Sequence, residues 1–123
     1  MGLLESEKDN EWELVGTITK TWNGSNASSA SVTFPADAKE IFISVDLSKT
    51  SSSLTWNGTT FVEKPFIDKT DYFISVGTYK QSGFGIMVNR YGTSRTVTMW
   101  AIYDASGTGF ADGSTCEAKV YYR

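Results

Sequence analysis

The sequence predicts an all-β domain, an antiparallel β-sandwich of about eight or nine strands with jelly-roll-like wrapping. Three observations predict it. Residue usage favours strand and turn formers (Thr, Ser, Val, Ile, Tyr, Phe, Trp, Gly, Asn), while the helix formers Leu, Gln and Arg are scarce. From Trp12 onward apolar residues alternate with period two. Gly/Ser/Asn/Asp clusters punctuate the chain about every ten residues. At 123 residues the chain makes one domain with one core.

Residues 1–11, "MGLLESEKDNE", carry four acids, one lysine and Leu3-Leu4, and read as a lead-in or linker; residues 12–123 read as the sandwich. In the first strand Trp12, Leu14, Gly16 and Ile18 share one face, with Val15, Thr17, Thr19 and Thr21 opposite. Ala30, Val32 and Phe34 alternate with serine and threonine until Pro35-Ala36-Asp37-Ala38 breaks the strand. "KEIFISVDL" sets Ile41, Ile43, Val45 and Leu47 against Glu40, Ser44 and Asp46, the clearest half-buried strand. "SLTWNGTTFVEKPF" reads as a hairpin around Asn57-Gly58, because a type I′ turn needs positive φ at both central residues. Pro65 marks its second strand as an edge, since proline donates nothing to a ladder. "YFISVGTY", "FGIMVNRY" and "RTVTMWAIYD" are apolar on both faces and belong at the centre of a sheet. After the loop "ASGTGFADGS", Cys116–Arg123 forms the last strand.

The chemistry-bearing residues exclude more than they suggest. The chain has no histidine, which removes the commonest general base and transition-metal ligand. The net charge is −3 with dispersed Lys and Arg, so no basic stripe meets nucleic-acid phosphates. No apolar run spans a bilayer, and the start shows no signal-peptide pattern. The single cysteine, Cys116, makes no internal disulfide and has no histidine to activate it, so it reads as a structural thiol. The acids Asp46, Glu63, Asp68, Asp71, Asp104, Asp112 and Glu117 show no glycosidase spacing. Asp104 and Asp112 bracket a glycine-rich loop that lacks the regular acidic spacing of a calcium loop. No catalytic set, metal site or cofactor is expected. Three N-x-[ST] triplets, at Asn23, Asn26 and Asn57, read as by-products of turn chemistry.

"TWNG" occurs twice, at Thr21–Gly24 and Thr55–Gly58. Outside those letters the two surroundings do not match, so it is one local solution used twice rather than a repeat. Each tryptophan either caps the rim of the core or offers an exposed platform for a sugar ring.

The stretches "VTFPADAKEIFISV" (Val32–Val45) and "AKVYYR" (Ala118–Arg123) resemble modules of phage and prophage tail proteins from Gram-positive hosts. The resemblance implies a non-enzymatic virion component, a tail-fibre or receptor-binding head domain. It would be a homotrimer beside other virion proteins, folded in the bacterial cytoplasm, and would recognise a host cell-surface polysaccharide. A carbohydrate-binding module of a larger secreted protein and a purely structural capsid or baseplate decoration are the alternatives.

If consecutive strands run in opposite directions, loops 23–28, 48–53, 67–70 and 92–94 gather at one end. Loops 35–38, 57–58, 81–82 and 104–113 gather at the other, where the first strand enters. The first set is then distal and offers Trp22, Asn23, Asn26, Lys49, Asp68, Lys69, Tyr91 and Arg95 as ligand-binding candidates. Amides, charges and aromatic rims suit hydroxyl-rich ligands. Trp22 is the expected recognition tryptophan, with Trp56 serving its hairpin at the opposite end.

Overall fold

The alternation that begins at Trp12 resolves into nine strands in a computed structural model, which describes residues 11–23, 27–49, 55–56, 60–63, 72–89, 93–104 and 112–123. They are β1 (Glu13–Thr21), β2 (Ser28–Thr33), β3 (Ile41–Ser48), β4 (Thr55–Trp56), β5 (Thr60–Glu63), β6 (Tyr72–Tyr79), β7 (Ser82–Asn89), β8 (Thr96–Ile102) and β9 (Thr115–Tyr122). Two antiparallel sheets result, one in the order β1-β9-β3-β5 and the other β2-β8-β7-β6-β4. β1, β2 and β3 alternate between the sheets, and β8 and β9 return beside them in a jelly-roll-like wrap; β6, β7 and β8 instead form a meander. The lead-in through residue 10 lies outside the described residues. Among the described residues no helix is long and apolar enough to cross a membrane.

Period-two patterning builds the core directly. Ile41, Ile43 and Val45 of β3 and Cys116, Ala118 and Val120 of β9 are buried from one sheet. Phe84, Ile86 and Val88 of β7 and Val97, Met99 and Ala101 of β8 meet them from the other. Each fully buried aliphatic side chain contributes about 1.5–3 kcal/mol relative to exposure. The three long apolar strands occupy the middle of the five-stranded sheet, and β5 lies at the edge of the four-stranded one, as their compositions require.

Two bulges shift the simple alternation. Leu14 pairs with Tyr121 and Gly16 with Val120, leaving Val15 as the extra residue. The bulge inverts the side-chain phase, so Val15 packs against the core while Leu14 is 56% exposed. The expectation that Leu14 shares the inner face with Ile18 is thereby corrected. In β6 the register shifts between Ser75 and Gly77, and Val76 is buried there. Gly83 of β7 accepts the resulting close approach: at φ 153° a Cβ on it would stand 2.1 Å from the Gly77 carbonyl oxygen.

The expected hairpin at Asn57-Gly58 does not form. β4 pairs with β6 in one sheet and β5 with β3 in the other, so the chain changes sheets between them. Asn57, Gly58 and Thr59 themselves lie outside the described residues. The physical reason is packing: Phe42 and Ile43 of β3 take Val62 and Phe61 as ladder partners, while Trp56 pairs with Gly77. Propensity for a tight turn yields to pairing with longer strands in both sheets.

That sheet switch also rearranges the two poles. The strand ends Glu13, Tyr122 and Ile41 share one pole, here the terminal pole, with Thr33 and Thr96. Thr21, Thr115 and Ser48 share the far pole with Ile102, Gly83 and Tyr79. Because β4 and β5 run in the same direction, every later connection swaps poles relative to the expected assignment. Trp22, Asn23, Ser48 and Lys49 therefore share the far pole with residues 80–81, 103–104 and 112–114, whereas residues 93–95 sit at the terminal pole with 34–40.

Candidate functional site

The expected distal set is divided by the fold. Trp22, Asn23 and Lys49 lie together at the far pole, and Arg95 lies at the terminal pole, where its carbonyl accepts the Phe34 N–H at 2.9 Å. Asn26, Asp68, Lys69 and Tyr91 lie outside the described residues. The strand ends flanking the last three, Glu63, Tyr72, Asn89 and Thr96, belong to the terminal pole.

Trp22 is a core residue and not an exposed platform, which corrects the expectation. It is 2% exposed, its indole N–H donates to the Ile102 carbonyl at 2.9 Å, and its ring lies 6.2 Å from that of Tyr103. Its main chain ties β1 to the start of β9: Trp22 N–H donates to Ser114 C=O at 2.9 Å and Gly113 N–H to Trp22 C=O at 2.8 Å. A buried indole with its donor satisfied is a rim cap. Trp56 reaches the same half of the sandwich through its pairing with Gly77, so the two tryptophans are not at opposite ends.

The far pole around Trp22 is a stitch between strand ends. Lys49 adopts φ 56°, and the Ser114 hydroxyl donates to its carbonyl. Gly113, at φ 82°, leaves the space that the Lys49 ammonium uses, since a Cβ there would lie 2.8 Å from Nζ. Asp104 is held through its main chain, with its N–H 2.8 Å from the Ser82 hydroxyl. Among the described residues no group of three or more His, Cys, Asp or Glu side chains is placed to hold a metal ion. Cys116 is buried in the core, and burial, with the nearby Asp46 carboxylate second, pushes its thiol up to about 12 from 9.0.

An open groove of about 260 Å³ lies instead on the outer face of the four-stranded sheet, lined by Trp12, Phe42, Ser44 and Tyr121. Its construction follows from strand phase. With Ile41, Ile43, Ala118 and Val120 pointing inward, Phe42, Ser44, Lys119 and Tyr121 project outward. Phe42 pairs in register with Tyr121, and Ser44 with Lys119. Trp12, just before β1, lies 5.5 Å from Phe42 at 49°, and Tyr121 lies 5.7 Å from Phe42 at 72°. These tilts set two rings as walls beside the third.

The terminal-pole rim is braced by charge. The Arg123 guanidinium stands 4.2 Å from the Trp12 ring centroid, and its Nε donates to Glu40 Oε1 at 2.7 Å. Arg123 and Glu40 also exchange main-chain hydrogen bonds at 3.0 and 3.1 Å. Tyr122 Oη donates to Glu13 Oε2 at 3.0 Å; that bond, and then the carboxylate charge, raises the pKa of the phenol. The groove-lining side chains themselves bring two hydroxyls and one indole N–H, and none of these has a hydrogen-bond partner among the described residues. Among the described residues the groove is lined by three aromatic rings and three polar groups, and by no paired acid and base or activated nucleophile.

Sequence patterning did not single out Trp12, Phe42, Ser44 or Arg123. The usable signal was Phe42, a large aromatic on the outward phase of the strand "KEIFISVDL", beside another outward aromatic in "AKVYYR". No protein-family model, curated protein or solved structure matches this chain.

Proposed function

We propose that this chain is a non-enzymatic adhesion domain of a phage virion, a tail-fibre or receptor-binding head, that recognises a host cell-surface polysaccharide through the groove of Trp12, Phe42, Ser44 and Tyr121. The observation that carries the reading is an aromatic groove whose hydroxyls and indole N–H have no partner among the described residues. Aromatic faces take the C–H surface of a pyranose ring, and free hydroxyls exchange hydrogen bonds with its rim. The two stretches that resemble phage tail modules, Val32–Val45 and Ala118–Arg123, are also those that supply Phe42, Ser44, Tyr121 and Arg123.

In this reading the domain works as a homotrimer among other virion proteins. Self-contact uses the opposite face, that of the five-stranded sheet. There Met87 and Trp100 are half-buried on the outward phase, and the Trp100 indole N–H is buried without a partner among the described residues. A carbohydrate-binding module of a larger secreted protein would share the groove and differ in acting as a monomer.

The experiment combines solution mass with retention on host cell-wall polysaccharide. A three-chain mass and retention lost in Phe42→Ala are expected. A monomer that binds no glycan overturns the proposal, and a monomer that binds glycan favours the module reading.

A further inference from the structure

We infer that the groove selects an uncharged sugar, one pyranose ring at a time, and that Glu40 is a specificity-determining residue for that choice. The inference rests on the glycan-binding reading of the groove and names its ligand class. Size comes first. About 260 Å³ falls below the roughly 300–1,000 Å³ of pockets that take drug-sized ligands. That volume suits one ring against Trp12, Phe42 and Tyr121, with the rest of a polymer running outside.

Charge supplies the selectivity. Arg123 stands at the terminal-pole rim, stacked on Trp12, but Glu40 occupies its Nε at 2.7 Å with both side chains partly buried. The guanidinium charge is thus already compensated where an anionic ligand would seek it. At the other rim Lys119 lies directly across from Ser44, and the next outward positions along the same strands are Glu117 and Asp46, paired with each other in register. The rim pair and these outward positions together bring two cations and three carboxylates. A carboxylated or phosphorylated sugar meets net negative charge at its rims, whereas a neutral sugar meets rings, hydroxyls and an indole N–H.

Glu40 acts through Arg123 and not by touching the ring. Replacing it by glutamine keeps the shape and removes the carboxylate charge beside the guanidinium. The test measures binding of the intact chain to two sets of trisaccharides by titration. One set contains neutral glucose, galactose, mannose, rhamnose and N-acetylglucosamine oligomers; the other contains the corresponding uronates of the hexoses.

The expected result is that at least one neutral trisaccharide binds about tenfold or more tighter than its uronate. Its affinity changes less than about twofold between about 0.05 and about 0.5 M NaCl, as an uncharged contact requires. In Glu40→Gln the affinity for the uronate relative to the neutral sugar rises about threefold or more, with circular dichroism showing that the variant is folded. Should Glu40→Gln not fold, the wild-type ratio and the salt series still decide the ligand class. Uronate binding equal to or tighter than neutral binding, or a steep salt dependence, overturns the inference and leaves the glycan-binding reading standing. A folded Glu40→Gln without the uronate gain removes Glu40 from the role. Binding of neither set overturns the glycan-binding reading itself.

Discussion

Replacing Trp22 and Trp12 by alanine should have opposite consequences, although both are strand-end tryptophans of β1. Trp22 is 2% exposed and packs in the core. Truncating a buried tryptophan costs about 3–5 kcal/mol. The lost 2.9 Å bond leaves the Ile102 carbonyl without the indole N–H donor, worth about 1 kcal/mol more. The sum, about 4–6 kcal/mol, is a large share of the roughly 5–15 kcal/mol that holds a domain folded. Trp12 is only half-buried and loses a tilted contact with Phe42 and the Arg123 cation. These are worth about 0.5–1.5 and about 0.5–1 kcal/mol. Urea unfolding followed by circular dichroism, paired with glycan titration of the folded fraction, separates the two effects. Trp22→Ala should lower the midpoint sharply and leave the affinity of the folded fraction intact. Trp12→Ala should lower stability by about 1–2.5 kcal/mol and weaken binding about tenfold or more. A Trp22→Ala protein of near-normal stability that no longer binds would refute the placement of both residues.

The remaining expectations concern the framework. Gly83→Ala puts a methyl 2.1 Å from the Gly77 carbonyl oxygen and 2.8 Å from Thr78 Cα, both backbone atoms of the neighbouring strand. It should cost at least about 3 kcal/mol in a denaturant titration, and a loss under about 1 kcal/mol would show that the β6 bulge adjusts freely. Gly113→Ala should cost about 1–2 kcal/mol through its positive φ; adding Lys49→Ala restores only the part owed to crowding of Nζ, which double-mutant thermal melts resolve. Cys116 should resist a thiol reagent at pH 8 in the native chain and react fully in denaturant, because its thiol is pushed up to about 12; rapid native labelling would contradict its burial. Since the folded value is raised above the unfolded 9.0, the contribution of the protonated thiol is complete below pH 9 and lost as pH rises from there toward 12. Melting curves of the native chain against Cys116→Ala should converge over that window.

How far the chain could be read without coordinates is clearest at three places. The strand "IFISV" needed only its alternation, because Ile41, Ile43 and Val45 have no stable arrangement but the inner face. Alternation alone sets Leu14 on the face of Ile18, whereas the bulge at Val15 depends on the register with Tyr121 and Val120, a long-range fact with no local signature. Asn57-Gly58 carried a strong hairpin signal, yet its flanking strands found longer partners in different sheets. That one difference moved the ends of the later strands between poles and separated Arg95 from Trp22, Asn23 and Lys49 of the expected distal set. The groove was hidden for a related reason. Trp12, Phe42 and Tyr121 are far apart in sequence and meet only because β9 inserts beside both β1 and β3.

The most direct test maps amide shifts of the labelled chain while a neutral trisaccharide that it retains is added. The account predicts the largest changes at Trp12, Phe42, Ser44 and Tyr121, with Asn23 and Lys49 at the far pole unchanged. Changes concentrated at the far pole, with the outer face of the four-stranded sheet silent, would contradict it.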